Sequence, residues 1–336
     1  MGSAFLSVAT AVPEHRLDAG EALDHLRRFF PQLQKMDGDG AALGTRYTCE
    51  PVEQLLRPRG LTELGAAYQT HARRLALTAA CSALAEAGLR GSDIDLVITV
   101  SCTGYVVPSL DVHFAPDLGL RPDVLRLPIT ELGCSAGAAG IAAAHRHLAA
   151  YPDDRVLVIA VEVPSLSFQR SDRSLDNLTG CLVFGDGAGA AVLARAEESH
   201  GRLEVLRTAS HLVPGTAHVL GFDLRDGGFH VVLDRRLPRV LRDELAPLVR
   251  AFGVEPAFYA VHAAGPRIFS AVESALDLPD GALELSRHVF DEVGNTSSAA
   301  IFFALEKLTR GVVRGEGLGV GLGPGVTIEL MHLVAR

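Results

Sequence analysis

The sequence predicts an α/β protein built from two similar halves, and two observations support this fold class. Apolar segments rich in Val and Ile alternate with Ala-rich helical segments, which is typical of a β-sheet covered by helices on both faces. Motifs of the first half also recur at a constant spacing, since 161 residues separate Cys134 from Asn295 and also Gly104 from Gly265. We therefore predict an internal duplication whose two copies are related by a pseudo-twofold axis.

The first half alternates helices with buried strands. Residues 61–89 are rich in Ala and Leu and end at a glycine, which predicts a long helix. The runs DIDLVITVSC and RVLVIAVEV, residues 93–102 and 155–163, predict buried strands. Between them, ELGCSAGAAG (residues 131–140) predicts the first turn of a tightly buried helix, and GDGAGAAVLARA (residues 185–196) predicts a third strand.

The second half repeats this order. AFYAVHAAGPRIF (residues 257–269) predicts a strand that breaks into a loop of small residues. DEVGNTSSAAIFFALEKL (residues 291–308) predicts a glycine-led helix, and GLGVGLGPGVTIELMHL (residues 317–333) predicts a glycine-rich turn and an apolar strand. We place the boundary after residue 199, so the predicted domains are residues 1–199 and 200–336.

The composition excludes several classes of protein. The chain has 336 residues, of which 48% are hydrophobic, and this is enough for a large core in two domain-sized units. A net charge of −9 without a Lys/Arg cluster argues against nucleic-acid binding. No apolar run approaches the roughly 20 residues of a membrane span, and the N-terminal segment does not resemble a signal peptide. We therefore expect a soluble, cytoplasmic protein.

The five cysteines do not follow a disulfide or metal-binding pattern. Their number is odd, their spacing is scattered and no CxxC pair occurs, so we predict neither a disulfide framework nor a metal site. A buried cysteine usually only fills space, and we keep this interpretation for Cys49, Cys81 and Cys181. Cys102 is an intermediate case, because it ends the strand equivalent to the one that carries His262.

Cys134, His262 and Asn295 are predicted to meet where the two halves join. Cys134 and Asn295 would open equivalent helices after the tight turns that Gly133 and Gly294 allow, and His262 would leave a strand end. A helix N-terminus and a neighbouring imidazole both lower the pKa of a thiol, which predicts a nucleophilic Cys134 thiolate at neutral pH. The structural alternatives are a packing cysteine, a hydrogen-bonded histidine and an asparagine that caps a helix.

Five short motifs, spread over nearly the whole chain, are shared with one enzyme family. They are Gly133-Cys134, VFGDGAGAAV (residues 183–192), VHAAGPRI (residues 261–268), GNTSSA (residues 294–299) and GLGPG (residues 321–325). These motifs resemble those of the type III polyketide synthases, the chalcone-synthase-like family of thiolase-fold condensing enzymes. The GLGPG turn with Pro324 is the most specific of them, and Leu322 departs from the phenylalanine that is usual there.

This resemblance implies an architecture and an assembly. The fold would be a thiolase fold, in which two duplicated αβαβα halves form five layers. The first half would carry the nucleophilic Cys134, and the second half would carry His262 and Asn295. The protein would be a homodimer, with the loop TGYVVPSLD near the partner subunit and Val107 at the tip of that loop.

The resemblance also implies a role for each of the three residues. Cys134 resembles the nucleophile that takes the acyl group from coenzyme A. His262 and Asn295 resemble the pair that decarboxylates malonyl-CoA and stabilises the enolate and the thioester oxyanion. The enolate would extend the acyl group held on Cys134, and the chain would then cyclise to an aromatic or pyrone product. No metal or redox cofactor is implied, because coenzyme A thioesters supply the reacting groups.

A set of substrate-binding residues follows from the same resemblance. Phe184 aligns with a gatekeeper phenylalanine between the CoA tunnel and the cavity, and Phe229 resembles the second gatekeeper. Arg46 and Arg267 are the expected cations at the tunnel mouth, because the Lys-rich CoA-binding segment of plant members has no match between residues 20 and 47. The other expected substrate-binding residues are Cys102, Thr103, Ser167, Gly265, Ser297 and Pro324.

The starter unit and two other functions stay open at this stage. Cys102 resembles bacterial members that make tetrahydroxynaphthalene from malonyl-CoA alone, whereas SFQRSDRSLDNLTG (residues 167–180) resembles enzymes that use fatty acyl starters. A ketoacyl synthase III would also use Cys, His and Asn but would act on acyl carrier protein. An inactive thiolase-fold subunit is the other alternative. Consumption of malonyl-CoA without carrier protein and iodoacetamide labelling of Cys134 distinguish these alternatives.

Overall fold

The computed structural model describes residues 2–30, 33, 44–196 and 203–336. The domain boundary that we place after residue 199 lies outside the described residues and stays a prediction. In the described part of the chain, none of the helices has both the length and the apolar character that crossing a bilayer requires.

The first half alternates strands and helices much as the sequence predicts. The long helix covers Leu61–Ala87 and ends at Gly88, whose φ of +67° is a left-handed conformation that suits glycine. The elements are β1 (Ser3–Ala11), β2 (His15–Asp18), α1 (Ala19–Phe29), β3 (Thr45–Thr48), α2 (Val52–Leu55), α3 (Leu61–Ala87), β4 (Leu96–Val100), α4 (Leu110–Leu118), β5 (Leu125–Ile129), α5 (Ala136–Ala150), β6 (Val156–Glu162), α6 (Leu175–Val183) and β7 (Gly187–Arg195).

The second half differs from the sequence prediction around Gly294. Residues 291–293 end one helix, and the next helix begins only at Ala300, after a 3₁₀ turn over Ser297–Ala299. Gly294 ends the first of these helices with a φ of +77°, which is not a helical conformation, so one continuous helix cannot form there. The elements are β8 (Leu203–Leu212), β9 (Leu220–Arg225), β10 (Gly228–Leu233), α7 (Leu237–Phe252), β11 (Phe258–Val261), α8 (Pro266–Leu276), α9 (Glu284–Val293), α10 (Ala300–Arg310), β12 (Gly315–Gly323) and β13 (Thr327–Ala335).

A nine-stranded sheet runs through both halves in the order β11-β12-β13-β8-β1-β7-β6-β4-β5. The first half supplies the part from β1 to β5, and the second half supplies the part from β8 to β11. The two parts join where β1 pairs with β8 through Ser3 opposite Val205 and Ala4 opposite Glu204. This short antiparallel contact places the two halves side by side along one seam.

The two parts of the sheet repeat one connectivity, as the duplication predicts. In the first half β1 pairs antiparallel with β7, β7 antiparallel with β6, and β6 parallel with β4. In the second half β8, β13, β12 and β11 repeat these three pairings in the same order. The spacing is kept as well, because β4 ends at Val100 and β11 ends 161 residues later at Val261. The predicted duplication is therefore confirmed.

Helix α5 lies between the two parts of the sheet, which explains its run of Ala and Gly. It contacts β4 and β6 on one side and β12 and β13 on the other. A Cβ at Gly137 would lie 2.0 Å from the carbonyl oxygen of Ser298, and one at Gly140 would lie 3.2 Å from Val158 Cγ1. Larger residues would push the central layer apart. On the outside, α3 covers β1, β6 and β7, while α7 packs against α8 over the second half.

Candidate active site

Cys134, His262 and Asn295 line one pocket, although they come from distant parts of the chain. The pocket has a volume of about 50 Å³, and its other walls include Phe184 and Leu322. Cys134 lies in a 3₁₀ turn, Gly133–Ser135, which leads directly into α5. The structure thus brings together the three residues that the duplication predicts to meet.

His262 and Asn295 are held by backbone contacts on either side of the seam. The His262 N–H donates to the carbonyl of Val320 in β12 at 2.8 Å, which fixes the chain just after β11. The Asn295 N–H donates to the carbonyl of Val183 at 2.8 Å, and its own carbonyl accepts from the Gly185 N–H at 3.1 Å. Asn295 is therefore tied to the segment that carries Phe184.

The Asn295 side chain can both stabilise the local turn and donate a hydrogen bond into the pocket. Its Oδ1 accepts a hydrogen bond from the Ser297 N–H at 2.9 Å, which stabilises the turn before α10. An amide has one acceptor oxygen and one donor nitrogen. With Oδ1 engaged by Ser297, the Nδ2 group is the part that can donate to a molecule in the pocket.

His262 is a neutral imidazole at physiological pH. The residue is 2% exposed, and burial lowers its pKa to about 4. Its Nδ1 is buried without a hydrogen-bond partner among the described residues. A neutral ring in this position can donate a hydrogen bond from one nitrogen without carrying a charge.

The Cys134 thiol differs from the sequence prediction. Burial raises its pKa to about 12, and the nearby Glu162 carboxylate adds to this increase, while a hydrogen bond with Ser297 opposes it. The thiol lies 3.2 Å from Ser297 Oγ. This direction is opposite to the predicted lowering of the Cys134 pKa by the helix N-terminus and His262, because burial, the largest cause, favours the neutral thiol.

Behind the thiol lies a buried polar cluster centred on Glu162, which the sequence analysis did not single out. Glu162 is 0% exposed and accepts from the N–H of Cys102 at 3.0 Å, the N–H of Thr103 at 3.1 Å and the Thr103 hydroxyl at 2.7 Å. The Ser298 hydroxyl also donates to it through a short contact. Cys102 Sγ lies 3.4 Å from Ser297 Oγ. Cys102, Thr103 and Ser297 thus lie behind the nucleophile, not on the wall of the pocket.

One sequence signal could have identified Glu162. It is the single charged residue in the apolar run that forms β6, and it lies at the end of that strand. A carboxylate in such a run must be satisfied by buried donors. Its donors, however, are separated from it by 59 to 136 residues, so their identity required the structure.

Two glycine-containing turns of the site pack directly on each other. Gly133 has a φ of +55°, and a Cβ there would lie 2.3 Å from Cγ of Pro324 in the GLGPG turn. Pro324 therefore supports the turn that carries Cys134. Gly265 has a φ of +121° and precedes α8, where a side chain would be strained.

Phe184 lies between the catalytic pocket and a second, mostly apolar pocket of about 100 Å³. It lines both, and Ser167 lines the second one. Phe229 lies elsewhere: its ring packs edge-on against Phe222, with ring centroids 6.1 Å apart, and Phe222 lines the second pocket. The position of Phe184 fits the predicted gatekeeper, whereas Phe229 lines neither of these two pockets.

A larger cavity of about 660 Å³ opens beside the catalytic pocket. Gly265 and Arg267 line it together with Arg235, and Arg267 is exposed. This cavity and the Cys134 pocket adjoin each other, because they share five apolar wall residues. These are Val183, Leu233, Leu237, Ala264 and Ile268.

Arg46 does not lie at the mouth of this cavity, so that prediction is wrong. The residue is 2% exposed, and its guanidinium donates to the carbonyls of Thr45, Leu182 and Phe290 at 2.7, 3.1 and 3.2 Å. It also stacks on the Phe290 ring, 4.5 Å from the centroid. Arg46 is a structural residue that joins β3 to α6 and α9.

Across residues 2–30, 33, 44–196 and 203–336, no group of three or more His, Cys, Asp or Glu side chains is arranged to hold a metal ion. The candidate site therefore consists of a thiol, an imidazole, an amide and the buried cluster around Glu162.

Models of a known family match both halves of the chain. The N-terminal domain of chalcone and stilbene synthases matches residues 60–196, and the C-terminal domain matches residues 204–335. The chain belongs to the family of chalcone and stilbene synthases.

Relatives and solved structures agree with this assignment. The chain is 37% identical to the 1,3,6,8-tetrahydroxynaphthalene synthase of Streptomyces griseus, over 96% of its own length and 90% of the relative's. It is 32% identical to the phloroglucinol synthase of Pseudomonas fluorescens, over 95% of both chains.

Two solved structures have the same fold. The tetrahydroxynaphthalene synthase of Streptomyces coelicolor superposes with a TM-score of 0.91 at 31% identity, covering 99% of both chains. Germicidin synthase of the same organism superposes with a TM-score of 0.93 at 26% identity, covering the whole of both chains. Both are described as type III polyketide synthases. The fold is thus the duplicated, five-layered thiolase fold, and the activity class is that of an acyltransferase.

Proposed function

We propose that this type III polyketide synthase loads an acyl group from a coenzyme A thioester onto Cys134 and extends it with malonyl-CoA. The observation that carries the proposal is the pocket shared by Cys134, His262 and Asn295, which adjoins a cavity of about 660 Å³. A thiol, two neutral donors and a path for a thioester are the groups that a decarboxylating condensation requires. Neither a metal ion nor a redox cofactor is needed for these steps.

In the loading step, the Cys134 sulfur attacks the thioester carbonyl, the C–S bond to coenzyme A breaks, and coenzyme A leaves as its thiol with the proton that Cys134 gives up. The carbonyl oxygen becomes negative in the tetrahedral intermediate. His262 and Asn295 then stabilise this oxygen by donating hydrogen bonds from a ring nitrogen and from Nδ2. The neutral state of His262 supports this role, because burial lowers its pKa to about 4.

In the extension step, the same two donors act on malonyl-CoA. Loss of CO₂ leaves an enolate whose negative charge lies on the thioester oxygen, and two aligned donors lower the barrier to its formation. The enolate carbon attacks the acyl group on Cys134, and the lengthened chain returns to the thiol. Cyclisation then releases the product.

The route of entry is the larger cavity. Its five shared wall residues are apolar and suit a pantetheine arm, while Arg235 and Arg267 lie where the nucleotide end of coenzyme A would arrive. No ion pair occupies either arginine among the described residues, so both are available to phosphate groups.

Malonyl-CoA as both starter and extender is the substrate choice that we favour. Three Streptomyces relatives at 35–37% identity are named 1,3,6,8-tetrahydroxynaphthalene synthase. Cys102 lies directly behind the Cys134–Ser297 contact, which supports the likeness to these relatives already visible in the sequence. The product would then be an aromatic polyketide. A fatty acyl starter is the alternative outcome of the experiment below.

The assembly that we favour is a homodimer, and the compartment is the cytoplasm. The edge strand β5 exposes Leu125 and Leu127, which are 54% and 41% exposed. Val107 and Tyr105 of the neighbouring loop are 74% and 69% exposed. Exposed apolar side chains of this kind are typical of a protein interface, and a second copy of the chain is the partner that the family likeness favours.

The experiment is incubation of the purified protein with malonyl-CoA alone, followed by product masses and then by a panel of acyl-CoAs. We expect an aromatic product from malonyl-CoA without acyl carrier protein. Activity only with carrier protein would indicate a ketoacyl synthase III instead. Absence of turnover, together with a Cys134 that iodoacetamide cannot label, would indicate an inactive subunit.

A further inference from the structure

Val326 adopts a backbone conformation that a valine ordinarily avoids. Its φ is +43°, in the left-handed region, and among the described residues Asp277 and Ser297 are the other non-glycine residues with a positive φ. Val326 is the one of these three that is branched at Cβ, which makes a left-handed backbone especially unfavourable. Such strain is concentrated at functional sites. The side chain of Val326 therefore requires an explanation.

The preceding residue shows what this turn needs for its backbone alone. Gly325 has a φ of +61°, and glycine adopts a left-handed conformation without a steric penalty. A second glycine at position 326 would remove the strain, but it would also remove the side chain. Val326 is 1% exposed and lines the pocket that contains Cys134. The strained backbone thus holds a side chain in the wall of the catalytic pocket.

Hydrogen bonds from the second half of the chain fix the turn that carries Val326. The Gly325 N–H donates to the carbonyl of Leu220 at 3.0 Å, and the Thr216 hydroxyl donates to the carbonyl of Gly325 at 2.7 Å. The carbonyl of Val326 accepts from the Val213 N–H at 3.2 Å. These bonds stabilise the strained conformation, so the isopropyl group keeps one position in the pocket wall.

The start of the same turn packs on the segment that carries the nucleophile. A Cβ at Gly323 would lie 2.3 Å from Ser135 Oγ and 2.6 Å from Ser135 Cβ. Segments in such close contact leave no free volume between them. The dimensions of the pocket between Val326 and Cys134 are therefore set by this packing.

The catalytic pocket is a narrow, apolar space. Its volume is about 50 Å³, whereas the cavity that adjoins it has about 660 Å³. The walls near Val326 are aliphatic and come from β9, β10 and α7; they include Leu220, Leu233, Leu237 and Leu241. A closed apolar pocket discriminates between groups that differ by one methylene by about 10–200-fold. Removal of one wall side chain should therefore change which groups fit on Cys134.

We propose that Val326 is a specificity-determining residue, whose side chain limits the size of the acyl group that Cys134 can carry. The isopropyl group closes the pocket on the side of the turn before β13. A smaller residue at this position admits bulkier starters and longer chains, and the same shape in another residue keeps the limit. The inference rests on the proposed role of Cys134 as the residue that carries the acyl group.

The test compares two alkylating reagents of different size, because alkylation needs no coenzyme A thioester. The reagents are iodoacetamide and N-benzyl iodoacetamide, and peptide masses from the whole protein give the rate at Cys134. Cys81 is exposed on α3 and reports the intrinsic reactivity of each reagent in the same sample. We expect Val326→Gly to raise the rate of the benzyl reagent relative to iodoacetamide at Cys134 by about tenfold. The ratio at Cys81 should not change.

Two variants separate pocket size from other effects. Val326→Thr keeps the branched shape, so its ratio of rates at Cys134 should stay near that of the wild type. Val213 is buried next to the same turn but does not line the pocket, so Val213→Ala loosens the packing without enlarging the pocket directly. Its ratio should also stay near the wild-type value. If Val326→Gly does not fold by circular dichroism, Val326→Ala takes its place, with a smaller change in the same direction.

Three results would overturn the size limit. The first is a Val326→Gly protein with the wild-type ratio at Cys134. The second is an equal rise of the ratio in Val213→Ala, which would mean that loosened packing is the cause. The third is a Cys134 that neither reagent reaches in Val326→Gly, because the enlarged pocket would then still be closed.

The alkylation assay also separates this inference from the proposed function. In an active protein, Val326→Gly should release products with additional malonyl-derived units or accept bulkier acyl-CoA starters than the wild type does. A protein with the expected alkylation ratios that does not consume malonyl-CoA would contradict only the proposed function. A protein that consumes malonyl-CoA but whose ratios are the same in all variants would contradict only the size limit.

Discussion

At the scale of single residues, burial favours the proposed role of one group in the site and disfavours that of another. Burial keeps His262 neutral, which suits a hydrogen-bond donor. The same burial raises the pKa of Cys134 to about 12, which opposes its use as a nucleophile. Asn295 carries no charge in any state and divides its amide between the Ser297 N–H and the pocket. The residues must therefore be tested one at a time.

The first prediction separates loading from decarboxylation. Cys134→Ala should abolish acyl loading and chain extension but retain some decarboxylation of malonyl-CoA, since that step requires donors and no thiolate. Asn295→Ala and His262→Ala should each reduce decarboxylation by about 10²–10³-fold, as expected for loss of an oxyanion donor. The measurement is acetyl-CoA release from malonyl-CoA, and Cys81→Ser is the matched control. Normal decarboxylation by Asn295→Ala would return Asn295 to the role of a helix cap.

The second prediction concerns recognition of coenzyme A. Arg267→Ala should raise the KM for malonyl-CoA about fivefold with little change in kcat, because an exposed charge contact contributes modestly. The KM for a malonyl thioester of N-acetylcysteamine, which has no phosphate, should not change. Arg314→Ala, an exposed change on the far loop after α10, is the control. An equal rise in KM for both thioesters would show that Arg267 does not contact phosphate.

At the scale of elements, the turn before α5 depends on Gly133 for two separate reasons. Its φ of +55° disfavours a side chain, and a Cβ would also collide with the Pro324 ring. Gly88, at the end of α3, has a φ of +67° with nothing within 4 Å of its Cβ position. A side chain at either glycine would strain the backbone, but only a side chain at Gly133 would also collide with a neighbour. Comparing the two positions therefore separates the cost of backbone strain from the cost of the collision.

The third prediction uses this pair. Gly88→Ala should lower the free energy of unfolding by about 1–2 kcal/mol, the usual cost of a left-handed residue. Gly133→Ala should lower the free energy of unfolding by about 1–3 kcal/mol more than Gly88→Ala does, because its Cβ would collide with Pro324. It should also reduce activity, because the displaced turn carries Cys134. Urea unfolding of both variants measures the difference. Equal losses in the two variants would mean that Pro324 moves aside freely.

Elements that depend on local pattern could be predicted from the sequence, whereas contacts across the seam could not. The strands that end at Val100 and Val261 and the turns before Cys134 and Asn295 follow from apolar runs, glycines and the repeated spacing. The buried role of Arg46 does not, because its carbonyl partners at Leu182 and Phe290 lie 136 and 244 residues away. An arginine in a polar segment is predicted to lie on the surface, and only the structure shows the carbonyl groups that bind it in the interior.

At the scale of the whole molecule, the exposed apolar surface on β5 leads to the fourth prediction. Leu127→Lys should convert a dimer into a monomer, because a charge would be buried in the proposed interface. Light scattering should give about twice the chain mass of 35.6 kDa for the wild type and one chain mass for the variant. Val312→Lys changes a residue that is 88% exposed elsewhere and should leave the mass unchanged. A monomeric wild type at micromolar concentration would contradict the homodimer.

The fifth prediction concerns stability and pH. The folded pKa of His262 is about 4, against an ordinary 6.5, so the unfolded chain alone binds this proton between those values. The free energy of unfolding should therefore fall as the pH drops from 6.5 to 4, by about 3 kcal/mol from this ring. Burial raises the pKa of Asp186 to about 6. The folded chain therefore binds this proton more readily than the unfolded chain does, which raises the free energy of unfolding as the pH falls through part of the same range.

Because the two groups oppose each other, the difference between proteins is more informative than the wild-type curve. The stability of His262→Gln relative to the wild type should increase as the pH falls from 7 to 4. Denaturant unfolding at several pH values measures this difference. Parallel curves for the two proteins would show that the imidazole takes up its proton at the same pH in the folded and the unfolded chain, which would contradict the lowered pKa.

The duplication that joins its two copies at the β1–β8 seam has a last consequence: the two copies are not functionally redundant. A repeated structure normally offers a spare copy of each feature. Here the turn before α5 supplies Cys134 and the segment before α10 supplies Asn295, so the repeat contributes two different chemical groups to a single pocket. Neither half can substitute for the other, so loss of the catalytic group of either copy is expected to stop chain extension even though the other copy is intact.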